Sequence, residues 1–231
     1  MGIFVHILSS SMDMTFPKTI KSIKMLIGAE IIALISDILT IALISIVLQA
    51  FSDGIDFEHS SPELLIPSIV LMILLLTAGI CTSILYLVSF RKASAEDQNF
   101  RISFYSSVIT LFLSVISVFS SSSKEVSNIT DLLTTLTTLL SQVYVLEGIR
   151  SISRQLKGPK MDRQGAVIYA IITTIFVFQT LLSVFILVLG GSMATAGASW
   201  LGIAASVLSI FECLLFLNYY IKALRMLTTS P

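Results

Sequence analysis

Long apolar runs separated by short polar stretches dominate the chain, and six of them recur near residues 23–49, 65–89, 102–121, 131–148, 166–189 and 199–222. A helix needs about 20 mostly apolar residues to cross roughly 30 Å of hydrocarbon. The pattern therefore predicts an all-α polytopic membrane protein, a six-helix transmembrane bundle. The second run contains no charge between Leu64 and Phe90, and one charge-free stretch from Gln164 to Phe211 holds the fifth and most of the sixth, cut by Gly190-Gly191-Ser192. Two runs are less regular: the first carries Glu30 and Asp37, and the fourth is short and rich in threonine. A re-entrant or interfacial helix is the alternative for the fourth. The expected organisation is an N-terminal cytoplasmic or interfacial segment at 1–22, one membrane domain at 23–225 and a cytoplasmic tail at 226–231.

Charge supplies orientation. Loops that stay in the cytoplasm carry the Lys and Arg excess. With six spans, thirteen of the fourteen basic residues fall on one side, and only Lys124 lies opposite. The other side is acidic and polar, with Asp53, Asp56, Glu58, Glu63, Glu125 and Asp131. Dropping the fourth span would destroy this segregation, so both termini are expected in the cytoplasm. Trp200 at the outer edge of the last run and Tyr219-Tyr220 at its inner edge sit where amphipathic rings prefer the interface. The chain has 231 residues, 55% apolar and 12% charged, with zero net charge and two cysteines. These figures exclude a disordered chain, a nucleic-acid module and a disulfide scaffold. Without a targeting segment or a long outer domain, the expected location is a prokaryotic inner membrane.

A repeat is visible at the inner helix ends. Tyr86 to Lys92, Tyr144 to Arg150 and Phe216 to Lys222 each place an aromatic residue six positions before a base. The second, fourth and sixth helices end there, which suggests three tandem hairpins; the alternative is that interface physics alone imposes this order.

Catalytic motifs are missing. His6 and His59 lie outside the spans, Cys81 and Cys213 are isolated within them, and neither CxxC nor HExxH occurs. No enzyme, metal or cofactor is expected. The informative residues are polar ones inside the apolar runs. Glu30 and Asp37 are seven apart and share one helical face, and Asp37 and Glu212 fall near mid-membrane with no Lys or Arg at that depth. Counting sixteen residues from Lys21, Arg101 and Arg163 reaches Asp37, Ser117 and Gln179, so under triplication these would converge on a site for a proton, a cation or a small polar solute, which Glu212 at similar depth either closes or stands apart from. A hydrogen-bonded structural knot is the alternative. Ser107, Thr110 and Ser114 on the third helix, and Gly202 and Ser206 on the sixth, have the spacing of close-packing seams. Arg150, Arg154, Lys157, Lys160 and Arg163 form a basic loop expected to face lipid, with anionic headgroups as one partner.

Two functions follow. One is a small transporter or channel-like protein with membrane-embedded carboxylates. The other is a non-transporting scaffold or accessory subunit that packs through its small-residue seams against a membrane-protein partner or a second copy.

Overall fold

The computed structural model describes residues 16–52, 62–119, 124–156, 158–189 and 195–229. Six helices account for almost all of them: α1 Pro17–Ser52, α2 Pro62–Ala93, α3 Gln98–Phe119, α4 Lys124–Gln155, α5 Pro159–Leu189 and α6 Thr195–Thr229. No strand occurs among the described residues. Large apolar side chains point outward along these helices, including Leu76 and Phe112, each 67% exposed, and none of the most apolar stretch of α2 is buried. Such a surface suits hydrocarbon and not water. Hydroxyls within the runs are satisfied by their own helix. Thr40, Thr77, Ser114 and Thr174 each donate to the carbonyl four residues back, at 2.8–2.9 Å.

The helices outrun the expected spans. α1 starts at Pro17, six residues before the expected boundary at 23, and α6 continues to Thr229 through most of the expected tail. α4 covers Lys124–Gln155, well beyond 131–148. Hydropathy counts only residues that suit hydrocarbon, whereas a helix continues into the polar flank until a breaker or cap stops it. For α1 the start combines Pro17 in the first turn with a carboxylate from a distant turn: Glu96 accepts the N–H groups of Lys18 at 2.9 Å and Thr19 at 2.7 Å. Asp97 caps α3 by accepting the Asn99 N–H at 2.8 Å.

The expected basic loop at 150–163 is mostly helix. α4 runs to Gln155 and α5 starts at Pro159, so only a tight turn separates them. It closes through Gly158 N–H to the Ser153 carbonyl at 2.8 Å and Ser153 Oγ to the Gly158 carbonyl at 2.6 Å. Arg150 and Arg154 are consequently held against helix partners instead of lying free. Arg150 pairs with Glu147 at 2.7 Å and Asp162 at 2.9 Å, and Arg154 pairs with the same two acids at 3.0 Å. Lys160 and Arg163 are exposed, and Lys157 lies outside the described residues.

Two compact units divide the chain, and each is built from separated segments. The first comprises Met1–Ile27, Tyr86–Val167 and Asn218–Pro231, and the second Gly28–Leu85 and Ile168–Leu217. All of α3 and α4 belong to the first, where they pack along their length as a hairpin. Their seam is a ladder of hydroxyls. Ser103 Oγ donates to the Ser141 carbonyl at 3.1 Å, Ser107 Oγ meets Ser141 Oγ at 2.8 Å, and Thr110 Oγ1 donates to Thr137 Oγ1 at 2.8 Å. Small polar side chains let two backbones approach closely while supplying interhelical hydrogen bonds. At the basic end of the hairpin Gly148 lies under the Phe100 ring, where an added Cβ would come within 2.8 Å of Phe100 Cε2.

Candidate functional site

The second unit has an unusual charge balance. Every Lys and Arg of the chain lies in the segments of the first unit, whereas Glu30, Asp37 and Glu212 lie in the second. The second unit contains no Lys or Arg.

Helix periodicity on α1 places Glu30 and Asp37 two turns apart on one side, and α6 supplies the facing groups. Cys213 Sγ lies 3.8 Å from Asp37 Oδ2. Ser209, one turn before Cys213 on α6, hydrogen-bonds the Asp37 carboxyl. The Cys213 thiol also reaches the Glu30 carboxyl. Glu30 is 4% exposed and Cys213 8%, while Asp37 is half-buried. Glu212 precedes Cys213 and stands close enough to Asp37 for the two acids to repel when both are charged. One thiol thus lies beside two carboxyls on α1, a hydroxyl serves the second of them, and a third carboxyl flanks the group.

The remaining residues expected at this site fall in the other unit or outside what can be described. Ser117 belongs to the first unit, in α3. The helical backbone includes Gln179, whose side chain lies outside the described residues. Among the seam residues, Ser107 and Thr110 bond across to α4, but Ser114 donates at 2.9 Å to the Thr110 carbonyl of its own helix. Ser206 is buried on α6, and the surroundings of Gly202 lie outside what can be described.

Sequence reasoning missed three participants. Cys213 and Ser209 carry the α6 side of the carboxyl group, although spacing placed them only on a packing face. Thr137 forms a rung of the ladder on α4. Their signal was present as spacing: Ser206, Ser209 and Cys213 recur at three and four residues, as do Thr130, Thr134, Thr137 and Ser141. Nothing in that spacing says which neighbouring helix a face will meet.

Among the described residues, no group of three or more His, Cys, Asp and Glu is arranged to hold a metal ion. All six helices contain a stretch long and apolar enough to cross a bilayer. With apolar side chains turned outward and acids gathered between α1 and α6, the chain is an integral, multi-pass membrane protein. No family model matches it, and no curated protein or solved structure is similar to it.

Proposed function

We propose that this protein moves protons across a prokaryotic inner membrane through the carboxyl group of Glu30, Asp37 and Glu212, with both termini in the cytoplasm. The observation that carries the reading is the gathering of Glu30 and Asp37 beside Cys213 in a unit without Lys or Arg. A charge at the bilayer centre costs about 2.5–3.5 kcal/mol on insertion scales, so acids there tend to mark proton or ion routes. In a unit without Lys or Arg, a carboxyl such as Asp37 or Glu212 is relieved of charge by taking a proton or by holding a cation. A proton is favoured because a metal cation wants several converging ligands. The reading is non-enzymatic: the group contains no activated nucleophile and no base–orienter pair.

A specific observation supports the second reading, a scaffold or accessory subunit. Asp37 already has neutral hydrogen-bond partners in Ser209 and Cys213, as a purely structural knot would require. Reconstitution separates the two. In liposomes with an imposed pH gradient, native protein is expected to dissipate the gradient. Asp37→Asn, which keeps size and polarity, is expected to slow dissipation at least tenfold while leaving detergent stability nearly unchanged. Equal rates for the two proteins would favour the scaffold.

The orientation has its own measurement. Ile55→Cys and Ala194→Cys are expected to react with an impermeant maleimide from outside intact cells, and Ala95→Cys and Lys160→Cys only after lysis. Outside labelling of Lys160→Cys would overturn six spans with cytoplasmic termini. The basis is the one-sided distribution of Lys and Arg.

A further inference from the structure

Two clusters of basic residues in the first unit differ in what their neighbouring acids do. Arg150 and Arg154 share Glu147 and Asp162, so these two guanidinium groups are neutralised from within, while Lys160 and Arg163 beside them stay exposed. The basic ends of α1 and α2 differ. They are fastened together by Ser22 Oγ donating to the Ser89 carbonyl at 2.8 Å, and Lys92 Nζ lies 3.4 Å from Met25 Sδ. This contact gathers Lys18, Lys21 and Lys24 of α1 with Arg91 and Lys92 of α2 at one edge. Lys18, Lys21, Lys24 and Arg91 are exposed. The nearby carboxylates are already engaged: both Glu96 oxygens accept backbone N–H groups of α1, and Asp97 accepts the Asn99 N–H. Among the described residues no ion pair joins any of these five bases to a carboxylate.

We propose that this α1–α2 edge, and not the basic segment at 150–163, is the surface on which anionic phospholipid headgroups dock. The bases stand where apolar helices end, the depth at which phosphates lie, and their aliphatic stems let the charged ends reach that layer. The two helix ends present five like charges, none of them ion-paired among the described residues, and the caps Glu96 and Asp97 offset only part of that charge. Positive charge concentrated in this way attracts anionic lipid. An acidic soluble protein would meet the same charges, but they border a lipid-exposed helix, which favours the bilayer as the occupant. This inference stands apart from the carboxyl chemistry, so failure of either leaves the other intact.

The test is native mass spectrometry of the full-length protein in detergent, titrated with phosphatidylglycerol and with phosphatidylcholine. Native protein is expected to retain phosphatidylglycerol preferentially, with the preference falling as salt rises. The triple variant Lys21→Gln/Lys24→Gln/Arg91→Gln is expected to lose on the order of 100-fold in that affinity, at roughly fivefold per base. A comparison variant with the same charge change, Lys160→Gln/Arg163→Gln/Lys222→Gln, is expected to lose less than tenfold. Circular dichroism checks that both keep their helix content. If the triple variant fails to fold, Lys21→Gln and Arg91→Gln made singly are each expected to lose roughly fivefold, and finding no loss in either variant would overturn the assignment. Equal losses in the two variants would overturn the assignment to this edge. So would equal retention of both lipids, displacement by inorganic phosphate at matched concentration, or binding to an acidic protein without lipid preference.

Discussion

Replacing Ser141 by leucine is expected to destabilise the protein by about 2–4 kcal/mol, measured as a shift in unfolding when sodium dodecyl sulfate is titrated into mixed micelles. Ser141 is 6% exposed and sits where α3 and α4 are tied most densely. Its hydroxyl meets Ser107 Oγ at 2.8 Å and the Ser103 carbonyl at 3.3 Å, and its carbonyl accepts Ser103 Oγ at 3.1 Å. Leucine would force the two backbones apart, and overpacking typically costs about 1–3 kcal/mol. Lost interhelical bonds add about 0.6 kcal/mol each by double-mutant measurements in membranes. Ser141→Ala separates the two contributions, since it removes the hydroxyl without adding volume, and is expected to cost about 1 kcal/mol. The control is Val115→Leu on the outward side of α3, where the side chain is 47% exposed and the change should fall within about 0.5 kcal/mol. A leucine at 141 as well tolerated as one at 115 would refute close packing at this seam.

The second large effect is expected at Gly165, near the start of α5. A Cβ there would lie 2.6 Å from Arg150 Cγ and from the Tyr219 hydroxyl oxygen, and 2.7 Å from Arg150 Cδ. Arg150 cannot swing freely, because its guanidinium is held by Glu147 and Asp162, and Tyr219 is 1% exposed. Gly165→Val is therefore expected to cost about 2–4 kcal/mol: overpacking supplies most of it, and disturbance of partly exposed ion pairs adds a smaller share. Gly165→Ala should fall lower in the same series. Adding Tyr219→Phe to Gly165→Ala removes one of the two nearest atoms, and the hydrogen bond it gives up is the long contact of 3.5 Å to the Met161 carbonyl. The double variant is expected to recover part of the loss, a coupling that a double-mutant cycle reads directly. Strict additivity would show that the tyrosine is not what confines position 165.

These sites show where sequence reading reaches its limit. The six helices were legible because the requirement they meet is local: hydrocarbon of fixed thickness demands an unbroken apolar run, and each run declares itself without reference to any other. The helix ends were less legible. Hydropathy falls off at the headgroups while the helix goes on, and the cap that starts α1 comes from Glu96, 77 residues beyond Thr19. The seam of α3 could be read as a face, since Ser103, Ser107 and Thr110 follow helical spacing.

Local pattern determined the helical class, the six apolar segments and the presence of acids within them. Tertiary structure alone decided which groups meet. It set Cys213 against Asp37 across 176 residues of chain, turned Ser114 back to its own helix, and spent Arg150 and Arg154 on Glu147 and Asp162. The reason is physical. Spacing fixes the angular position of a side chain on its own helix, but a partner depends on that helix's rotation and depth against its neighbours. Those are set by the summed packing of all the faces together.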